Sequence, residues 1–210
     1  MKVCKKQKLL FIHIPKCGGS SVVQAFDMED LPSVKPHIGI RSAMDRFPDM
    51  AQDYLKFAVI RNPWEIEVSS FFYRLSQDVI EAGDNVPHID AATGGFAGVL
   101  RDRNVIACFQ PNLVATHKHG RSLMRFLTDK NDNIAVDEIL RLETIDEDMK
   151  DMCEKHNLKF VFNRKFTREN CTNHLHYSKY YTEQWMIDYV YEKNEDYIKH
   201  FKYKFQYEDQ

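Results

Sequence analysis

The stretch LLFIHIPKCGGSS, residues 9–21, constrains this chain more than any other. The apolar run Leu9–Ile14 is too short for an independent helix and is cut off by Pro15, so it reads as a short buried strand. Val22, Val23 and Phe26 then recur at helical spacing within Ser20–Met28. A buried strand feeding a helix through a glycine turn calls for a parallel neighbour strand and helices over the sheet.

The same stretch carries chemistry. A glycine turn before a helix presents successive backbone N–H groups, and glycine lets an anion approach them closely. Lys16 adds a mobile positive charge, and Ser20 and Ser21 add hydroxyls in the first turn. A plain strand–helix turn accounts for Gly18 and Gly19 but has no use for Lys16. The order of residues is not that of the nucleotide loop G-x-x-x-x-G-K-[ST], since the lysine precedes the glycines, and no carboxylate for Mg²⁺ lies close by. Cys17 raises the idea of a phosphatase nucleophile, but the arginine such a loop carries six residues on is replaced by Val23. Cys17 is therefore expected to serve through its backbone N–H.

A second constellation is FAVIRNPWEIEVSSFFY, residues 57–73. Tyr54–Arg61 reads as another strand, stopped by Asn62-Pro63. Val68, Phe71, Phe72 and Leu75 then follow the i, i+3, i+4, i+7 rule of an amphipathic helix. Glu65, Ser69 and Tyr73 form a stripe on its other side. Arg61 at the strand end and Ser69 on the helix suit a terminal phosphate, the arginine as a two-pronged donor. Neighbouring parallel strands would bring two such turns to one sheet edge.

Elsewhere, prolines at 32, 36 and 48 break residues 30–50 into loop with short helices. The glycine-rich 82–98 is expected as a surface loop, with helix resuming around 99–127. Asp137–Leu142 is a candidate third strand, Thr144 and Glu147 form a capping box for a helix to about His156, and a long helix spans about 182–200. Phe160–Phe162 is a brief apolar run before a polar, basic loop. The whole, 1–210, reads as a single α/β domain with a parallel sheet flanked by helices.

Lys plus Arg, 29, nearly balances Asp plus Glu, 31, so a nucleic-acid polymer is not the expected partner and any polyanion must meet a local cluster. Cys4, Cys17, Cys108, Cys153 and Cys171 are scattered without a paired spacing, which fits neither a zinc site nor a disulfide framework but does fit a reducing compartment. The lysines at 2, 5, 6 and 8 precede an apolar run too short for a signal peptide, and no stretch approaches the ~20 apolar residues of a membrane span. A cytoplasmic location and no metal are expected. The segment HKHGR, residues 117–121, holds no carboxylate or Cys and reads as a solvated basic patch.

The two loops together resemble the sulfotransferases that use 3′-phosphoadenosine 5′-phosphosulfate (PAPS). IPKCGGSS is similar to their 5′-phosphosulfate loop, IPKTGGTS, and VIRNPWEIEVSSFF to their 3′-phosphate motif, RxPxxxxxS. The likeness is greatest to carbohydrate O-sulfotransferases of the heparan sulfate 2-O type and their bacterial and viral homologues. It extends to KPHIGIRSAM, ILRLETIDEDMKDMC and the segment from Tyr180 to Phe205, and so covers most of the chain. Cys17 and Ser20 stand where threonine is usual, and Glu65-Ile66-Glu67 replaces a basic segment.

The resemblance implies a P-loop NTPase-like sulfotransferase fold, PAPS as donor and a hydroxyl-bearing acceptor, a carbohydrate or a small molecule. It assigns Lys16 to the bridging and sulfate oxygens, and Cys17, Gly18, Gly19, Ser20 and Ser21 to the 5′-phosphate. Arg61 and Ser69 go to the 3′-phosphate, and His37 to the general base. His13 reads as a core or supporting histidine. Lys165 and Arg168 are further nucleotide candidates, and 82–98 with 117–125 are where acceptor contacts are expected. Two other readings compete: an ATP-dependent kinase, disfavoured by the missing G-K-[ST], and a non-catalytic nucleotide- or glycan-binding protein.

Overall fold

The computed structural model describes residues 1–31, 37–82, 95–101, 122–159 and 174–208. Residues 83–94 of the expected loop 82–98, Cys108, the patch 117–121, Phe160–Phe162, Lys165, Arg168, Cys171 and the side chain of Leu75 lie outside what it describes, while residues 95–98 open a helix rather than continuing a loop. The chain forms two compact units, Met1–Arg61 with Leu123–Asn170, and Asn62–Ser122 with Cys171–Gln210.

The first unit is α/β. Its strands are β1 (Lys2–Cys4), β2 (Leu9–Ile12), β3 (Glu29–Asp30), β4 (Leu55–Ile60) and β5 (Glu138–Arg141), in the order β3-β1-β2-β4-β5. β2, β4 and β5 are parallel, with Ile12 beside Ala58 and Ala58 beside Ile139. β1 and β3 are antiparallel additions, so the sheet is mixed where a parallel one was expected. The reason lies in the basic segment Lys5–Lys8. It closes a turn from Lys8 N–H to the Lys5 carbonyl, with Lys8 at φ 52°, and folds β1 back along β2. Every residue of β2 and Phe57–Ile60 of β4 is fully buried, as strands covered on both faces must be.

Helix α1 (Gly19–Ala25) lies over this sheet, and Phe26 at its end meets Phe57 edge to face while Phe57 stacks on Phe11. Burying each such side chain contributes about 1.5–3 kcal/mol. Two short helices, α2 (Ile40–Arg46) and α3 (Pro48–Asp53), fill the proline-broken segment. Asp137 pins β5 to β4, its carboxylate accepting from the Lys56 backbone N–H at 2.7 Å and pairing with the Lys56 ammonium at 2.8 Å. After β5 comes α6 (Ile145–His156), numbered after α4 (Pro63–Ala82) and α5 (Gly95–Arg101) of the second unit. Its expected capping box does not form: the Thr144 hydroxyl donates to Asp148, 3.0 Å away, and Asp148 also accepts from the Arg141 backbone at 2.6 Å. Asp148 thus joins strand end to helix start.

The second unit is helical: α4 (Pro63–Ala82), α5 (Gly95–Arg101), α7 (Gln184–Lys193) and α8 (Glu195–Phe201). Asn62 caps α4, accepting from the Trp64 N–H at 3.0 Å, with Pro63 in the first turn where its missing N–H costs nothing. Trp64, Val68, Phe71, Phe96, Tyr181, Met186 and Val190 build its core. The early turns of α4 are buried nearly all round, Ile66 to Phe71 without a break, rather than on one apolar face. The long C-terminal helix is two helices. Asn194 interrupts it at φ −124°, its side-chain amide turning back to the Val190 carbonyl, 3.2 Å away. An asparagine bonding its own backbone competes with helix continuation.

Candidate functional site

β2 and β4 run parallel, so the segments after Ile12 and after Ile60 leave the sheet at the same edge. At that edge the first unit assembles His13, the turn Pro15–Gly19 and Arg61. Lys16 has φ 62° and Gly18 φ 71°, two left-handed residues within one turn. Glycine takes that conformation at little cost, whereas a lysine does so only where the surroundings hold it.

The two glycines are required for different reasons. A Cβ on Gly18 would lie 2.6 Å from Leu142 Cδ1, besides facing a left-handed backbone. On Gly19 it would lie within the His13 ring. The imidazole of His13 is therefore seated directly on the start of α1. Its other neighbours are Phe11, with which it stacks at 5.4 Å, and His37, whose ring centre is 4.3 Å away. His13 Nδ1 is enclosed with no hydrogen-bond partner among the described residues. Burial, and next the adjoining His37, hold His13 well below the ordinary imidazole pKa, so it is neutral.

His37 places Nδ1 3.0 Å from the His13 carbonyl oxygen. A carbonyl only accepts, so in neutral His37 the Nδ1 carries the hydrogen and Nε2 keeps the lone pair. Burial lowers the His37 pKa, partly offset by that backbone bond. The residue is thus a neutral imidazole with an oriented basic nitrogen. The segment carrying it is itself tightly seated, a Cβ on Gly39 falling 2.5 Å from the Arg125 carbonyl.

Lys16 is half-buried, and its pKa is lowered to about 8, first by desolvation and then by the charge of Arg61. It still carries its proton at neutral pH. Arg61 Nη1 donates to the Lys16 carbonyl at 2.9 Å, so strand end and turn are joined directly. Cys17 is fully buried, its thiol directed at the Pro15 carbonyl 3.5 Å away. That is the position of a packed loop residue, not of an exposed nucleophile. Ser20 is exposed and Ser21 buried. The amides of Ser21 and Val22 both turn to the Gly18 carbonyl, at 3.1 and 3.3 Å. With only seven residues in α1, fixed charges must carry more of any anion affinity than the helix dipole does. Ser69 belongs to the second unit, where it is buried on α4.

Two features escaped the sequence reading. The His13–Gly19 seat was signalled only by a histidine at the end of an otherwise apolar strand. Arg125, grouped with the basic patch expected to face the acceptor, is buried, with its guanidinium 5.0 Å over the Phe126 ring. Among the described residues no cluster of His, Cys, Asp and Glu could hold a metal ion, and no helix is long and apolar enough to cross a membrane. No protein-family model, curated protein or solved structure matches the chain.

Proposed function

We propose that the chain is a sulfotransferase that moves the sulfuryl group of PAPS to an acceptor hydroxyl, a carbohydrate one by the resemblance of its loops. One observation carries this reading: two cations, Lys16 on a left-handed turn and Arg61 joined to its carbonyl, at the carboxyl ends of adjacent parallel strands. A lysine and an arginine beside a glycine turn suit a ligand with several phosphate-type oxygens. The P-loop-like sulfotransferase fold and the cytoplasmic location belong to the same proposal. The role of Ser69 on the 3′-phosphate is carried by the resemblance alone.

The donor supplies an activated sulfuryl group, whose bond to the 5′-phosphate oxygen breaks as the acceptor oxygen bonds to sulfur. Lys16, protonated at neutral pH, stabilises the negative charge that builds on the leaving oxygen. His37 takes the acceptor's proton on Nε2, the nitrogen left basic by the bond from Nδ1 to the His13 carbonyl. His13, neutral and seated on Gly19, holds His37 and the turn in fixed relation.

The test is ligand choice followed by turnover. The product nucleotide 3′-phosphoadenosine 5′-phosphate (PAP) should raise the melting temperature while ATP with Mg²⁺ does not, and labelled PAPS should modify some member of an acceptor panel. Equal stabilisation by Mg-ATP would favour a kinase. Tight PAP binding without turnover would leave a binding protein. For the base, His37→Ala is expected to lower kcat by about 10²-fold, the modest end of general-base contributions because water can accept the proton. A variant with normal kcat removes His37 from the mechanism.

The pH profile follows from the two shifts. Lys16 must be charged, so the anion site is complete below about pH 8 and fails as pH rises through that value. His37 must be neutral, and its lowered pKa keeps it so through the neutral range, with loss only below the ordinary histidine value. The expected kcat/KM is flat around pH 7 and falls on the alkaline side near 8. An alkaline limb at the ordinary lysine pKa would show that Lys16 is not the group being titrated.

A further inference from the structure

We infer that Arg61 is a positioning residue for the turn, its guanidinium holding the Lys16 carbonyl and with it the left-handed backbone from which the Lys16 side chain projects. The inference rests on the proposed nucleotide site for its consequences, but its structural half stands without any ligand. A lysine at φ 62° is in a conformation L-residues seldom adopt, and it persists only where a neighbour fixes it. The neighbour is identifiable: Arg61 Nη1 lies 2.9 Å from the Lys16 carbonyl, a charge-assisted bond between two stretches that are distant in the sequence.

Relaxation of Lys16 out of the left-handed region would turn that carbonyl away from Arg61 and re-aim the ammonium with it. The packing around the turn removes slack elsewhere. Gly18 abuts Leu142, Gly19 is closed by His13, and Cys17 is fully buried. Of the residues Pro15–Gly19, Lys16 carries the only charged side chain, and Arg61 governs its backbone. This role differs from gripping a 3′-phosphate, which would use the guanidinium as a ligand donor. Five N–H donors allow one guanidinium to do both.

The two roles separate with a nucleotide that lacks the 3′-phosphate. Affinities for PAP and for adenosine 5′-phosphate are measured by calorimetry on the full chain and on Arg61→Gln and Arg61→Lys. Positioning predicts that Arg61→Gln weakens both nucleotides, adenosine 5′-phosphate by about tenfold, as expected for losing one hydrogen bond to a charged group. Arg61→Lys keeps the charge but ends one bond short of the carbonyl, and should lose adenosine 5′-phosphate affinity nearly as far. An unchanged affinity for adenosine 5′-phosphate beside weakened PAP would overturn the inference and leave Arg61 a phosphate ligand only.

The second readout needs no nucleotide. Amide signals of Lys16 to Gly19 in the ligand-free protein should shift and exchange faster in both variants, while those of β4 hold. Unmoved turn signals overturn positioning even if activity falls. Should the unsubstituted chain bind neither nucleotide, the proposed function fails, and the ligand-free measurement still decides the role of Arg61.

Discussion

Lys16→Ala is expected to lower transfer from labelled PAPS by about 10³-fold, with the fold intact. A donor aimed at developing oxyanion charge contributes about 3–4 kcal/mol in a water-poor site. Lys16 has the features that make such a donor effective: it is half-buried, pressed to a pKa of about 8 and still charged at neutral pH. Its desolvation means that little water is reorganised when charge develops beside it. Alanine at φ 62° retains a strain cost of roughly 1–2 kcal/mol, which the lysine already bears, so stability should change little. Lys16→Gly separates backbone from charge. Free of left-handed strain, it should be at least as stable as the alanine variant and equally inactive. A glycine variant with substantial turnover would show that the ammonium is dispensable, and the proposed mechanism would fall with it.

What could be seen in the sequence was what local chemistry decides. Asn62-Pro63 marked where β4 stops, because proline cannot continue a ladder and asparagine opens a helix, whereas β2 ends at Ile12, before Pro15 and short of the expected Ile14. Lys16 announced an unusual turn, because a plain strand–helix turn accounts for Gly18 and Gly19 but has no use for a lysine. The antiparallel strands were not legible: β3 is two exposed acidic residues with no periodicity, and it becomes a strand only because β1 lies beside it. The break at Asn194 depends on a side chain choosing its own backbone over solvent, a choice that the apolar spacing of residues 186–201 conceals. The bond from Arg61 to Lys16 depends on the register of β2 against β4, and the His13–His37 contact on the path between them. A sequence names the residues of such a site more readily than it names which of them touch.

Glu67→Ala should destabilise the second unit strongly. The Glu67 carboxylate is only 1% exposed and is paired with the Lys193 ammonium at 2.8 Å. Its second oxygen, Oε2, is buried without a partner among the described residues. The Tyr181 phenol, bonded to the Trp64 carbonyl at 2.8 Å, is held well above its ordinary pKa by burial and then by the Glu67 charge. Truncating Glu67 leaves the Lys193 ammonium, itself only 10% exposed, without its counter-charge. Breaking a buried pair from one side costs about 3–5 kcal/mol, far above the value of a surface pair. In a chain of this length that corresponds to a fall in melting temperature on the order of 10 °C. Replacing both partners, Glu67→Leu with Lys193→Met, removes both desolvation penalties together and should recover most of the loss, since apolar side chains of similar volume often serve such a position equally well. Calorimetric melting of Glu67→Leu, Lys193→Met and the double variant closes the cycle. Additive losses would mean that the two charges are solvated independently, and that the pair is not what holds α4 against α7.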